Sequence, residues 1–187
     1  MENIIGLLRI RIKRGNNLAM RDVGGSDPYV VVTMGNQACC LCSCSIRFLE
    51  SSFKLKTKVV KNDCTPVWNE ELTLSVEDLD TPIQLAVFDK DTFTVDDKMG
   101  DTEIDIKPLI ASLRMGLKNV PNGCTVSRVQ PSSNNCLADE SRIVWNNGKM
   151  TQDMILRLRN VESGEVEIQL EWIDVPGGKG LGIEGTE

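Results

Sequence analysis

Aspartates are concentrated in two short segments of this sequence, and their carboxylate oxygens are the kind of ligand that calcium prefers. The first segment holds Asp22 and Asp27, and the second holds Asp89, Asp91 and Asp97. Carboxylates gathered in one empty pocket would repel one another, whereas Ca²⁺ accepts many hard oxygen ligands in a loose geometry. Two bound ions would change a local charge of about −5 into about −1. The aspartates therefore predict a calcium site, provided that the fold brings both segments together.

Lysines form a second group whose charge can bind a ligand. Lys54, Lys56 and Lys58 share one face of a predicted strand, because side chains alternate along a strand, and Lys61 follows beyond this alternation. Lysines on an exposed strand often only solvate it or protect its edge. The pattern therefore leaves two interpretations open, a solvated face and a face that binds anions. Trp68 would either line such a site or belong to the core.

The elements that must position these groups are mostly short strands. Alternating or continuous apolar patterns predict strands at residues 8–12, 29–34, 54–61, 71–76 and 83–88. Turn-rich segments separate them, and no clear amphipathic helix intervenes before about residue 107. Short strands at this spacing predict an antiparallel sandwich rather than an α/β sheet. In a sandwich, alternate loops gather at one end, so the two acidic segments can share a pocket.

The second half of the chain is less regular. Residues 108–117 predict one short helix, and residues 118–150, rich in Asn, Ser and Pro, predict a long polar insertion with weak structure. Two strands are predicted to follow, at residues 154–158 and 166–172. The segment after Pro176 is rich in glycine and predicts a mobile tail, and it lacks the Gly-Lys-Ser/Thr ending of a phosphate loop.

Composition excludes several classes of function. The chain of 187 residues has no histidine, which removes Ser-His-Asp and Cys-His catalysis and zinc sites that contain histidine. A formal net charge of −6 argues against nucleic acid as a partner, so an anionic partner must meet a local basic face or bound cations. The start of the chain lacks a secretory signal pattern, and no apolar run is long enough to span a bilayer. We therefore expect a cytoplasmic protein whose membrane contact is peripheral.

Residues 38–53 form an unusual segment that contains Cys39, Cys40, Cys42 and Cys44. Outside an oxidising compartment these thiols are expected to stay reduced. Two paired Cys-x-x-Cys motifs, the usual spacing of a structural zinc site, are absent. We interpret the segment as a lengthened loop between two strands, and zinc binding, palmitoylation and no role at all remain open for its cysteines.

Three stretches occur in the order that one domain family shows. They are Gly24-Gly25-Ser26-Asp27-Pro28-Tyr29-Val30, then residues 61–70, then Phe88-Asp89-Lys90-Asp91 up to Asp97-Lys98-Met99-Gly100, and together they resemble C2 domains over residues 5–106. The chain starts on the strand before the first acidic loop and has a spare strand at 164–173, which resembles the type II topology. The resemblance implies an all-β fold, a C2 antiparallel β-sandwich of eight strands.

The implied C2 domain covers residues 1–175 and carries two additions. Residues 38–53 would be a cysteine-rich loop insertion, and residues 107–150, with a short helix and a polar stretch before the last two strands, a family-specific one. Residues 176–187 would be a flexible tail. The segment 107–160, with its Arg142-Ile143-Val144-Trp145 stretch, resembles the extra element of the plant C2-domain abscisic-acid-related family.

That resemblance implies a function without catalysis by the chain itself. It implies a Ca²⁺-dependent module that binds anionic phospholipid and recruits abscisic acid receptors of the PYR/PYL/RCAR type to the plasma membrane. It also implies that the GTPase or ATPase activity of a partner is stimulated, and it leaves the nucleus open as a second location. A calcium-independent scaffold for protein interactions is the main alternative. An Asp-x-Asp phosphotransferase, suggested by Asp89 and Asp91 after an apolar strand, lacks the surrounding βαβ pattern.

The resemblance also implies which residues bind. Side-chain oxygens for Ca²⁺ would come from Asp22, Asp27, Asp89, Asp91 and Asp97, and the main-chain carbonyls of Arg21 and Lys90 would complete the metal ligands. The basic strand would meet phosphoinositide headgroups through Lys54, Lys56, Lys58, Lys61 and Trp68.

Overall fold

The computed structural model describes residues 4–21, 25–35, 53–117 and 119–182. Within these ranges the chain forms ten strands and one short helix. The elements are β1 (Gly6–Asn16), β2 (Pro28–Met34), β3 (Phe53–Lys56), β4 (Val67–Val76), β5 (Ile83–Asp89), β6 (Asp97–Ile104), α1 (Lys107–Arg114), β7 (Cys124–Val129), β8 (Ser141–Asn146), β9 (Lys149–Arg157) and β10 (Glu165–Ile173).

The strands form two antiparallel sheets that pack face to face. One sheet has six strands in the order β4-β1-β10-β9-β8-β7, and the other has four in the order β3-β2-β5-β6. The last strand pairs with the first along its length, from Leu7 opposite Ile173 to Asn16 opposite Glu165. This confirms the predicted all-β sandwich, and the closing position of β10 is the one that type II topology requires.

The core lies between the sheets because apolar residues alternate along the facing strands. Leu8, Ile10 and Ile12 of β1 are fully buried, and the inward residues of β10 and β5 are also buried. Burying each such aliphatic side chain contributes about 1.5–3 kcal/mol to folding. Basic residues occupy the outward positions 9, 11 and 13 of β1, whereas the outward residues of β2 and β5 are uncharged.

The number of strands is ten in the described residues rather than the predicted eight. The two additional strands, β7 and β8, lie within residues 118–150, for which the composition predicts weak structure. Strand β8 pairs with β9 from Arg142 opposite Asp153 to Asn146 opposite Lys149, so the hairpin extends the larger sheet. Ile143 is fully buried, and Leu137 nearby is 2% exposed. These few apolar residues anchor a segment whose composition is otherwise polar.

The predicted lysine strand is shorter than the alternation indicates. Strand β3 ends at Lys56 because the hydroxyl of Thr57 takes over a ladder position, accepting a hydrogen bond from the Val30 N–H at 3.0 Å. The Thr57 N–H still donates to the Val30 carbonyl at 3.0 Å. The chain thus continues along β2 without regular strand geometry, and Lys58 lies outside β3.

The end of the sandwich where β1 begins is covered by α1, which confirms the predicted short helix. The helix starts with Pro108 in its first turn and buries Leu109 and Ile110. Residues of the glycine-rich tail cross the same end: the Lys179 N–H donates to the Ile4 carbonyl at 3.0 Å. The flexibility predicted for residues 176–187 stays a prediction, and 183–187 lie outside the described ranges.

Most of the cysteine-rich segment, predicted at 38–53, also lies outside the described residues, and Phe53 begins β3. In the described part of the chain, no helix is long and apolar enough to cross a bilayer.

Candidate metal centre and basic cavity

Three of the predicted calcium ligands lie on neighbouring strand ends of the four-stranded sheet. Asp89 ends β5 opposite Pro28 of β2 and opposite Asp97 of β6. Asp27 immediately precedes β2, and its carbonyl accepts a hydrogen bond from the Lys90 N–H at 3.0 Å. The loop before β2 and the loop after β5 therefore meet at one end of the sandwich, which we call the acidic end.

Asp89 has the most unusual environment of these aspartates. Its side chain is 1% exposed, and Oδ1 accepts a hydrogen bond from the Asp27 N–H at 2.6 Å. Its Oδ2 atom is buried and has no hydrogen-bond partner in the structure. A buried polar atom without a partner costs about 1–3 kcal/mol, more if it is charged. A cation at this oxygen would remove that cost.

A third loop, between β3 and β4, braces the acidic end. The Asn62 N–H donates to Asp27 Oδ1 at 2.8 Å, and the Asp63 N–H donates to the Ser26 carbonyl at 3.0 Å. Gly25 adopts φ 110°, and a side chain there would collide with the Asn62 side chain. This close approach explains why glycine stands just before Ser26 and Asp27.

The donors fit a calcium site in their chemistry but do not complete one. Asp27, Asp89 and Asp97 offer hard oxygens on adjacent strand ends, and the free Oδ2 of Asp89 is the observation that supports a bound cation. Among the described residues, however, no group of three or more metal-ligating side chains is close enough to hold an ion. Asp22 lies outside the described residues. Asp91 is half-buried, and its N–H donates to Asp96 Oδ1 at 3.2 Å.

The side chains of Arg21 and Lys90 are held away from the aspartates that neighbour them in the predicted site. Arg21 contacts Glu162 at 3.3 Å, and its N–H donates to Ser26 Oγ at 2.9 Å. Lys90 Nζ donates to Asp96 at 2.8 Å. The roles of their carbonyl oxygens as metal ligands stay predictions.

Asp96, to which the sequence patterns give no role, connects the acidic end with the neighbouring sheet face. It accepts hydrogen bonds from Lys90 and from the Tyr29 hydroxyl, the latter at 2.6 Å. These bonds hold the pKa of Asp96 below its usual range. Burial, together with the hydrogen bond to this carboxylate, raises the pKa of Tyr29 to about 12. No spacing rule could have found the contact, because 67 positions separate the two residues.

The outward face of the four-stranded sheet forms a cavity of about 590 Å³, which we call the basic cavity. Lys54 and Lys56 line it from β3, and Lys98 lines it from β6. Its wall is aromatic: the Tyr29 and Phe88 rings stack with centroids 5.7 Å apart, and Lys56 Nζ lies 6.0 Å from the Tyr29 centroid. The structure thus brings two of the predicted lipid-binding lysines together in one concave site.

The positive charge of the basic cavity is concentrated on its β3 side. Lys98 is paired with Asp101 at 2.5 Å, so its charge is largely compensated. Within the described ranges, Lys54 and Lys56 take part in no salt bridge. An anion in the cavity would therefore be drawn toward β3.

The other predicted lipid-binding residues are not part of this cavity. Lys58 and Lys61 are exposed but do not line it. Trp68 is 7% exposed, and its indole N–H donates to the Pro28 carbonyl at 3.2 Å. Of the two interpretations of Trp68, the core one agrees with its position on the inward face of β4, and a role in lipid binding stays a prediction.

Exposed apolar side chains mark the tips of two loops at the acidic end. Phe93 and Val95, in the loop between β5 and β6, are 98% and 88% exposed, and Met20, before β2, is 60% exposed. Single exposed apolar residues are ordinary, whereas several at one end of a domain form a candidate contact surface for a membrane or a protein. The sequence analysis did not single them out, although two apolar residues within an acidic loop are a visible signal.

Comparison with known proteins identifies the family. The family model of the C2 domain matches residues 6–119. Protein C2-DOMAIN ABA-RELATED 4 of Arabidopsis thaliana is 55% identical over 181 residues, which cover 97% of this chain and 93% of that protein. GTPase activating protein 1 of Oryza sativa subsp. indica is 48% identical over 179 residues, which cover 96% of this chain and 98% of that protein.

Solved structures agree on the fold. A C2 domain of plant Extended Synaptotagmin 1 superposes with a TM-score of 0.56 at 20% identity, covering 92% of this chain and 98% of that domain. The calcium-bound pair of C2 domains of Extended-Synaptotagmin 2 gives a TM-score of 0.57 at 21% identity, covering 93% of this chain and 48% of that pair. From its two sheets, its acidic end and its full-length similarity to these plant proteins, the chain belongs to the C2-domain abscisic-acid-related family.

Proposed function

We propose that this protein is a Ca²⁺-dependent phospholipid-binding module that docks on the cytoplasmic face of the plasma membrane. C2 domains are generally phospholipid-binding modules and commonly bind Ca²⁺. The observation that carries the proposal for this chain is Asp89 Oδ2, a buried carboxylate oxygen without a hydrogen-bond partner. It lies on a strand end between those that carry Asp27 and Asp97.

Charge explains why membrane docking at the acidic end would need the ion. Without a cation, the aspartates there repel anionic headgroups, and the net charge of −6 adds to that repulsion. Bound Ca²⁺ would supply the positive charge that reverses the local potential. Phe93 and Val95 could then enter the lipid interface, and full burial of each would contribute about 1.5–3 kcal/mol.

The basic cavity would provide a second contact with the same membrane. Its volume of about 590 Å³ is that of a small-molecule site, and Lys54 and Lys56 bring uncompensated charge to one wall. Each lysine near an anionic surface contributes about 1 kcal/mol to binding. A phosphorylated inositol headgroup matches this site, because its phosphates can bind the two lysine ammonium groups and its ring fits a concave surface.

The partners are proposed from the relatives. Several are named for a relation to abscisic acid, and one is named a GTPase activating protein. We assign to this chain the recruitment of abscisic acid receptors to the membrane and the stimulation of a partner's GTPase activity. The β7–β8 hairpin supports this assignment, because it adds to the sandwich a surface that neither the acidic end nor the basic cavity uses.

Sedimentation with vesicles tests the function directly. Vesicles that contain phosphatidylserine and a phosphoinositide should carry the protein into the pellet with Ca²⁺ and not with a chelator. Asp89→Asn should lose the calcium-dependent fraction, whereas Asp78→Asn, in a loop at the opposite end, should keep it. Equal sedimentation with and without Ca²⁺ would contradict the proposal.

A calcium-independent scaffold is the second candidate, favoured by the absence of a complete ligand cluster among the described side chains. It predicts receptor pull-down that is the same in Ca²⁺ and in chelator, with no vesicle binding. The Asp-x-Asp phosphotransferase has no such support. Asp89 ends an antiparallel strand, and no βαβ unit occurs in the parts of the chain that the structure describes.

A further inference from the structure

Asp96 contacts both halves of the proposed membrane surface. Its Oδ1 accepts the Lys90 ammonium at 2.8 Å and the Asp91 N–H at 3.2 Å, which ties it to the loop between β5 and β6. Its Oδ2 accepts the Tyr29 hydroxyl at 2.6 Å. One carboxylate therefore joins the backbone of the acidic loop to an aromatic side chain of the neighbouring sheet.

Tyr29 carries this connection into the basic cavity. Its ring lines the cavity wall and stacks on Phe88 at an interplanar angle of 24°. Lys56 Nζ lies 6.0 Å from the ring centroid, close enough for an attractive cation–π contact. A shift of the Tyr29 ring would therefore change both the shape of the cavity and the position of one of its cations.

We infer that Asp96 is a positioning residue that couples cation binding at the acidic end to headgroup binding in the basic cavity. The inference rests on the proposed function. Asp91 lies in the same loop as Asp96, and Asp97 follows directly as the first residue of β6, so a rearrangement of this loop around a cation would change the bonds that Asp96 makes to Lys90 and Asp91. Because the Tyr29 hydroxyl is bonded to the same carboxylate, a movement of Asp96 would also move the Tyr29 side chain. Coupling of this kind is reciprocal: the headgroup must strengthen cation binding by the same factor.

A merely structural role makes a different prediction. If Asp96 only fastened its loop, its replacement would change the affinity for Ca²⁺ or the stability, but the ratio of affinities with and without the second ligand would stay the same. The coupling ratio therefore separates the two roles, and neither affinity alone does so.

The test uses calorimetry on the full chain, with Ca²⁺ alone and inositol trisphosphate as the probes, each titrated with and without the other. The parent should show a coupling factor of about five or more, the lower end of the usual range. Tyr29→Phe, which keeps the stacked ring and removes only the hydroxyl, should reduce the factor toward one. Asp96→Asn should do the same, and the double variant should lose no more than either single variant.

Asp78→Asn is the matched control. Asp78 also lies in a loop and accepts a backbone N–H and a hydroxyl, from Asp80 and Thr81, but at the opposite end of the sandwich. Its coupling factor should equal that of the parent. A factor of one in the parent, or an unchanged factor in Tyr29→Phe, would overturn the inference while leaving the proposed function intact. Loss of all Ca²⁺ binding in Asp96→Asn would make Asp96 a ligand and also overturn it. A parent that binds neither probe nor vesicles would overturn the proposed function and the inference with it.

Discussion

The hydroxyl of Tyr29 donates a 2.6 Å hydrogen bond to Asp96, and so joins the sheet face that carries the basic cavity to the loop that carries the acidic end. Tyr29 is the only tyrosine of the chain, so its ionisation can be observed without interference from another residue of its type. Burial is the largest cause that raises the pKa of Tyr29 to about 12, and the hydrogen bond to Asp96 and the negative charge of Asp96 add to it.

The tyrosinate absorbance should therefore rise near pH 12 in the folded protein, and Asp96→Asn should move the midpoint down toward the ordinary value of about 10. Stability follows with a definite sign. Between about pH 10 and 12 the unfolded chain has lost the proton that the folded chain keeps, so unfolding becomes easier as the pH rises. An unshifted midpoint in Asp96→Asn would show that burial alone sets the pKa.

Replacing Asp89 by asparagine should distinguish its effect on the stability of the protein from its role in calcium binding. Asn at this position can still accept the Asp27 N–H, and it replaces the unpaired Oδ2 by a neutral amide. We expect the melting temperature of metal-free Asp89→Asn to equal or exceed that of the parent. Ca²⁺ should raise the melting temperature of the parent, as any ligand of the native state does, and not that of the variant. Scanning calorimetry with Ca²⁺ and with chelator measures both, and an equal calcium increment in the two proteins would remove Asp89 from the site.

The lysines that line the basic cavity should matter more than those that do not. Lys54→Ala with Lys56→Ala should weaken binding to anionic vesicles by about 1 kcal/mol for each lysine, and less as salt rises. Lys58→Ala with Lys61→Ala removes the same charge outside the cavity and is the matched control. Vesicle titrations at two salt concentrations compare the pairs. Equal losses in both pairs would mean that only net charge counts.

The fold could be predicted where apolar residues alternate or form a continuous run. The prediction was wrong where few apolar residues or a side-chain hydroxyl determine the strand. Strands β1, β4 and β5 follow the alternation, and β2 is a continuous apolar run that opens at Pro28 and is followed by Gly35. The sequence does not indicate β8, because its fully buried residues are one serine and one isoleucine, Ser141 and Ile143, in a segment of otherwise polar composition. Strand β3 was drawn too long because Thr57 looks like any strand residue, although its hydroxyl replaces a backbone acceptor.

The candidate site could be predicted only for those residues that belong to continuous sequence motifs. Asp27, Asp89 and Asp97 lie at adjacent strand ends, as the predicted sandwich requires, and their role as calcium ligands stays a prediction. The hydrogen bond between Tyr29 and Asp96 depends on strand register, so the sequence alone does not predict it. Trp68 was recoverable, because it alternates in phase with the inward residues Leu72 and Leu74 of the same strand.

Partner recognition by the β7–β8 hairpin is best tested by surface changes rather than by deletion. Replacing residues 107–150 with a linker would strip β8 from β9 and uncover buried Ile143, so a loss of binding would be ambiguous. Arg128 and Arg142 are exposed and pair only with Glu140 among the described residues. Alanine at both positions should leave the melting temperature and calcium-dependent vesicle binding within error. Pull-down of an abscisic acid receptor should fall several-fold, and full retention would place the partner site elsewhere.

The cysteine-rich insertion should be dispensable for folding, and strand register shows where to cut. Met34 pairs with Phe53, so deletion of residues 37–52 leaves Gly35-Asn36 as a two-residue connection between paired residues. Two-residue hairpin loops favour glycine and asparagine, and Gly35 already has φ 119°.

Each halving of a loop saves about 0.6 kcal/mol of closure entropy, so a roughly ninefold shortening should stabilise the sandwich by about 2 kcal/mol. We expect a melting temperature that is higher by about 4–8 °C. We also expect greater solubility and fewer oxidation-linked oligomers in air, because Cys39, Cys40, Cys42 and Cys44 are gone. Deletion of residues 65–66 from the loop that braces the acidic end is the contrasting control and should destabilise. A large loss of stability on deleting 37–52 would show that the insertion packs as part of the fold.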